Sequence, residues 1–127
     1  MSHIRSNRFC FATCSIGPPT ERLANKLDAI RQGGFDSIEL SMPDLIEFAK
    51  GYLGRDVTNY DFDALVKAGH AVFSLCEERS LTVALMQPFA NFEGWDRESS
   101  EWQDAWERVQ GWIRIMQAVG CKTLQGE

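Results

Sequence analysis

The chain has 127 residues, 44% of them hydrophobic, and 13 Lys and Arg against 18 Asp and Glu give a formal net charge of -5. That is enough apolar sequence to bury one core, but too short for a complete eight-unit α/β barrel, which takes roughly 250 residues. The acidic balance without a Lys/Arg cluster argues against nucleic-acid binding; no segment has the apolar length of a signal-peptide core or a membrane span, so a cytoplasmic location is expected.

Arg8 to Ser15 is aromatic and small-apolar and stops at Gly17-Pro18-Pro19, which predicts a first strand. Thr20 is placed to cap a helix in which Leu23, Leu27 and Ile30 recur at i, i+4 and i+7, with Gly33-Gly34 as its stop. In the second strand, Ser37-Ile38-Glu39-Leu40-Ser41, alternation sends Ile38 and Leu40 one way and Glu39 the other. Ile38 and Leu40 are expected to pack under helices, with Glu39 facing the axis of a barrel or the mouth of a parallel sheet, where α/β folds place their chemistry.

Pro43 suits the first turn of a short helix carrying Leu45, Ala49 and Tyr52 and ended by Gly54. From Asp61 to about Arg79, Phe62, Leu65, Val66, Gly69, Val72, Phe73 and Cys76 recur near the helical period. Leu81 to Phe89 is nearly continuous apolar sequence, the pattern of a central parallel strand covered on both faces. Ser100 and Gln103 make a capping box for a last helix that places Trp102, Trp106, Val109, Ile113 and Met116 on one side and ends at Gly120. Lys122 to Gln125 begins a fourth strand, and the chain stops where its helix is due. This order predicts a parallel sheet with right-handed crossovers.

Cys10, Cys14, Cys76 and Cys121 lie in or beside apolar segments without the spacing of a disulfide framework or zinc knuckle, and read as reduced core residues. His70 falls outside the apolar stripe of its helix and has no second ligand at i+4, which favours a solvated or capping role, and His3 belongs to a terminus. The tryptophans at 102, 106 and 112 are expected to pack against the sheet.

Three stretches, Phe35 to Leu40, Met86-Gln87-Pro88-Phe89 and Gly111 to Gln125, together resemble the xylose isomerase-like TIM-barrel superfamily. That family includes sugar phosphate isomerases and epimerases, 3-dehydroshikimate dehydratases and apurinic endonucleases; Gln-Pro-Phe after the third strand is most similar to the dehydratases. The resemblance implies an incomplete (β/α)8 barrel, residues 1–127 being its N-terminal half, with about four parallel strands and helices on the outer face. It also implies a divalent metal of the Mg or Mn class, held in that family by carboxylates and histidines on later strands.

By the same resemblance this half supplies contacts to a small carbonyl substrate. Glu39 is the candidate catalytic residue, as acceptor for a substrate hydroxyl or partner of a base, against a plain salt bridge to a nearby Lys or Arg. Gln87, Phe92, Trp95 and Gln125 are candidate substrate contacts, against loop-tying for Gln87 and end-packing for Phe92 and Trp95. The expected function is a fragment of a 3-dehydroshikimate dehydratase type of lyase, inactive alone; a sugar phosphate isomerase or epimerase and a catalytically silent truncated product are the alternatives. Four strands cannot close a barrel, so self-association through unpaired sheet edges is a further expectation.

Overall fold

A computed structural model describes residues 9–126. In chain order these form β1 (Cys10–Ala12), α1 (Leu23–Gln32), β2 (Ser37–Ser41), α2 (Met42–Leu53), α3 (Phe62–Glu78), β3 (Thr82–Phe89), α4 (Ser100–Val119) and β4 (Leu124–Gly126). All strand pairs are parallel and the strands lie in sequence order, β1-β2-β3-β4. The molecule is an α/β unit built as an incomplete TIM barrel, with its helices on one face of the sheet.

The first strand is shorter than predicted: its start at Arg8 lies outside the described residues, and Thr13–Ser15 turn into a 3-10 helix. Thr20 does not cap α1. The Pro18-Pro19 turn, closed by a Glu21 N–H to Pro18 carbonyl bond, delays the helix, whose N-cap is Arg22 without a side-chain bond. α2 follows its signals: Ser41 Oγ accepts from the Asp44 N–H at 3.2 Å, Pro43 occupies the first turn, and Gly54 ends the helix at φ 70°. At α4 the cap is Ser99, accepting from the Trp102 N–H, rather than Ser100, and the expected box with Gln103 does not form.

Leu23, Leu27, Ile30, Ile38, Leu40, Leu45, Leu65, Val72, Met86 and Ile115 make the centre of the core. α3 and α4 cross where side chains are smallest: the Phe62 ring lies against Gly111 with no room for a Cβ, and Gly69 meets Ala118 and Val119. Three expectations about sidedness need correction. α4 buries Ala105, Trp112, Ile115, Met116 and Val119, while Trp102 and Trp106 stack on each other at the surface, ring centroids 5.9 Å apart. β3 is covered on one face only, since Thr82 and Ala84 are exposed. Of the four thiols, all free, Cys76 and Cys121 are buried but Cys10 and Cys14 are exposed.

Candidate functional site

The alternation of β2 fixes the site. Ile38 and Leu40 are completely buried beneath the helices, which turns Glu39 onto the opposite face, where it is half-buried. There it stands between Ala12 of β1 and Leu85 of β3. Gln87 follows one pleat further along, opposite Ser41, so its Cα lies about 8 Å from that of Glu39 by strand spacing and rise. Its Nε2 donates to Cys14 Sγ at 3.2 Å, across the ends of β1 and β3. On β4, Leu124 pairs with Met86 and turns inward under the helices; Gln125 therefore projects, exposed, onto the Glu39 face. Glu39, Gln87 and Gln125 thus share one face toward the C-terminal ends of three adjacent strands. Among the described residues Glu39 forms no salt bridge, and His70 is an exposed residue of α3.

The two aromatic candidates are elsewhere. Phe92 packs its ring on Phe89, centroids 5.3 Å apart, and against the Gly126 backbone, beside β4. Trp95 donates its indole N–H to the Asn91 carbonyl near the start of α4 and is 43% exposed. Neither is brought to Glu39.

Cys10 is the titratable neighbour of the candidate carboxylate. Exposed as it is, Cys10 is still partly desolvated, which pushes its thiol up; the hydroxyl of Ser37 pulls it partly back and the charge of Glu39 raises it again, so at neutral pH the thiol keeps its proton. The face therefore offers one carboxylate, two amides and two thiols. Among the described residues no three His, Cys, Asp or Glu side chains come together as a metal-binding group. Catalytic metal sites use about three protein ligands, and Mg or Mn prefers oxygen over sulfur, so these residues by themselves do not fit a metal centre.

Two supports of this face lie outside the residues that the sequence singles out. Lys26 and Asp44, each 2% exposed, form a buried ion pair at 2.9 Å. Lys26 Nζ also donates to the Thr13 carbonyl at 3.2 Å and the Gly17 carbonyl at 2.9 Å, tying the segment after β1 to the start of α2. Thr13 is itself completely buried, and its Oγ1 accepts from the Ser41 N–H. The available signal was position: Lys26 falls at i+3 from Leu23, inside the apolar stripe of α1. The second support is Arg108, which donates to the Ala90 and Asn91 carbonyls at 2.8 and 2.9 Å and to Asp104 at 2.8 Å, with its guanidinium 5.0 Å from the centre of the Phe89 ring. It clamps the segment that follows β3. Beside it a groove of about 460 Å³ is lined by Met42, Ile46, Tyr60, Pro88 and Trp112.

No family model matches the chain. It is 26% identical over 119 residues to 3-dehydroshikimate dehydratase of Neurospora crassa, a match that covers 91% of this chain and 31% of that protein. Among solved structures it is similar to a xylose isomerase-like TIM barrel/4-hydroxyphenylpyruvate dioxygenase fusion protein, at 26% identity and a TM-score of 0.68, over 92% of this chain and 15% of the other. The chain thus spans less than a third of the length of either relative. No helix among the described residues is long and apolar enough to cross a membrane. With its parallel strands in sequence order and these two matches, the chain is similar to the xylose isomerase-like TIM barrels and resembles a part of one.

Proposed function

We propose that this chain is the substrate-contacting portion of a lyase of the 3-dehydroshikimate dehydratase type, inactive by itself. The observation that carries the proposal is the placement of Glu39, Gln87 and Gln125 on one sheet face in a chain 91% covered by its match to a dehydratase of that name. Such a reaction removes a proton beside a carbonyl and expels a hydroxyl from the adjoining carbon as water. A carboxylate that accepts from a substrate hydroxyl and amides that both donate and accept suit a polyhydroxylated ring. Glu39 serves as that acceptor, or orients a base supplied from outside this chain; Gln87, already anchored on Cys14, and Gln125 bind ring oxygens. A divalent ion of the Mg or Mn class, when bound, would polarise the carbonyl, and its ligands would come from residues other than those described.

Titration of the chain with 3-dehydroshikimate, followed by backbone amide resonances and by the absorbance of an aromatic product, tests this. Saturable shifts are expected at Glu39, Gln87 and Gln125, lost in Glu39→Gln, with no product formed. Turnover by the isolated chain would refute the claim of inactivity; shifts confined to other surfaces, or none, would refute the assignment of the face.

A further inference from the structure

The turn that follows β1 is held more firmly than a surface turn needs to be. Lys26 Nζ donates to the carbonyls of Thr13 and Gly17, so both ends of the stretch 13–17 hang on one buried ammonium, which Asp44 fixes in turn. Thr13 is held a second time, its Oγ1 accepting the Ser41 N–H at 3.1 Å where β2 ends. A buried ion pair adds little stability over apolar residues of similar volume, because desolvation offsets its attraction. What this one does is fix the backbone of Thr13–Ser15 against the end of β2.

Between the two held carbonyls lies Cys14, whose Sγ accepts from Gln87 Nε2 at 3.2 Å. β1 and β3 are not neighbours, since β2 stands between them. The bond therefore crosses the end of β2 near Ser41, the residue with which Gln87 is in register. An amide has a donor end and an acceptor end, and the sulfur decides which is which. With its nitrogen on Cys14, Gln87 has Oε1 turned away from that thiol, and the oxygen has no hydrogen-bond partner among the described residues.

From these contacts we infer that Cys14 is a positioning residue: held through Thr13 and Lys26, it fixes the Gln87 amide so that Oε1 accepts from a hydroxyl of the substrate. The role rests on the assignment of Gln87 to the substrate made above. Oε1 and the Glu39 carboxylate are then two acceptors on one face, their residues one pleat apart on adjacent strands. Such a pair suits neighbouring hydroxyls on one edge of a ring, and the charge of Glu39 disfavours a carboxylate or phosphate placed there. A glutamine already held also gives up less side-chain freedom on binding.

Side-chain resonances of Gln87 test this, first in the free chain and then with 3-dehydroshikimate. In the free chain a nuclear Overhauser contact is expected from the Gln87 Nε2 protons to the Cys14 β-protons, with slowed exchange of the bonded proton. Cys14→Ala should return that amide to the exchange of a free glutamine, and Cys14→Ser, which keeps an acceptor, should restore most of the protection. Lys26→Met combined with Asp44→Leu should loosen the amide with Cys14 still present, which separates the anchor from the sulfur. On addition of 3-dehydroshikimate the Gln87 δ-carbon should shift while the contact with Cys14 persists. Cys14→Ala should weaken that binding about fivefold, and Cys14→Ser should recover it. An amide that turns its oxygen toward Cys14 in the free or bound chain, one left unchanged in the Lys26/Asp44 double variant, or equal affinity in Cys14→Ala would overturn the inference. Absence of any binding refutes the proposed reaction instead, and the free-chain resonances still decide whether Cys14 orients Gln87.

Discussion

Ile38 and Glu39 are chain neighbours in β2, yet Ile38 is completely buried beneath helices while Glu39 stands half-exposed with Ala12 and Leu85 beside it. The same division runs through β3, where Val83 and Met86 are buried and Thr82 and Ala84 are exposed. One face holds the unit together; the other leaves Thr82 and Ala84 exposed and Glu39 half-buried. A strand can carry polar groups for chemistry because its alternate residues have already secured it.

The deepest test of that division is the buried pair beneath the strand ends. Lys26 Nζ donates to Asp44 and to the Thr13 and Gly17 carbonyls, while Asp44 Oδ2 is buried without a hydrogen-bond partner among the described residues. Lys26→Met leaves that carboxylate unpaired in the core and is expected to destabilise the chain by about 3–5 kcal/mol. Combining it with Asp44→Leu removes the second charge, and most of the loss should be recovered, as when buried ion pairs are replaced by apolar residues. Denaturant midpoints of the single and double variants measure both effects. If the double variant were no better than the single one, the three-way anchoring of the backbone, rather than the stranded charge, would be what matters.

A direct comparison of the faces comes next in size. Leu40→Ala empties a fully buried position and is expected to cost about 2–5 kcal/mol, whereas Ala84→Ser on the open face should stay within about 0.5 kcal/mol. Urea unfolding of the two variants side by side provides the check. A large loss from Ala84→Ser would mean that the open face is buried in solution.

The contrast between the faces also explains what the sequence made legible. Ser37 to Ser41 alternates cleanly because one side of β2 must be apolar, and that pattern located Glu39 without any knowledge of the fold. β3 misled because its open side carries alanine and threonine rather than charges, so its run resembles a strand covered twice. α4 misled for a related reason: it has two apolar stripes, and composition favoured the one with Trp102 and Trp106 when the sheet takes Ala105, Trp112 and Val119. Which stripe meets the sheet is decided by the close crossing at Gly111 and Phe62, a contact between residues 49 positions apart. Aromatic character and loop position point Phe92 and Trp95 toward the site, yet their rings pack toward α4 and β4 instead. Lys26 is hard to read from sequence because a charge within an apolar stripe usually marks the stripe's edge; here three acceptors, from Thr13, Gly17 and Asp44, let it lie at the centre.

The smallest effect concerns the exposed groups that hold the rim. Tyr60 Oη donates to Asp104 at 2.6 Å, and Arg108 donates to the same carboxylate. That hydrogen bond to Asp104 raises the Tyr60 phenol above its ordinary 10.0, and the bonds from Tyr60 and then Arg108 hold the Asp104 carboxyl below its ordinary 3.8. The signs are opposite. A raised phenol contributes stability that is fully present below pH 10.0 and lost as pH rises through the higher folded value. A depressed carboxyl contributes stability present above pH 3.8 and lost as pH falls through the lower folded value. Both groups are exposed to solvent, so salt should weaken each effect. Tyr60→Phe is therefore expected to abolish the alkaline loss and shrink the acid one, leaving stability near neutral pH little changed; urea midpoints against pH at low and high salt measure it. Because Arg108 still holds the Ala90 and Asn91 carbonyls in that variant, the amide resonance of Gln87 should not move. A shift of Gln87 in Tyr60→Phe would show that the rim and the open face are coupled, and that the division between the two sides of the sheet is less complete than their burial implies.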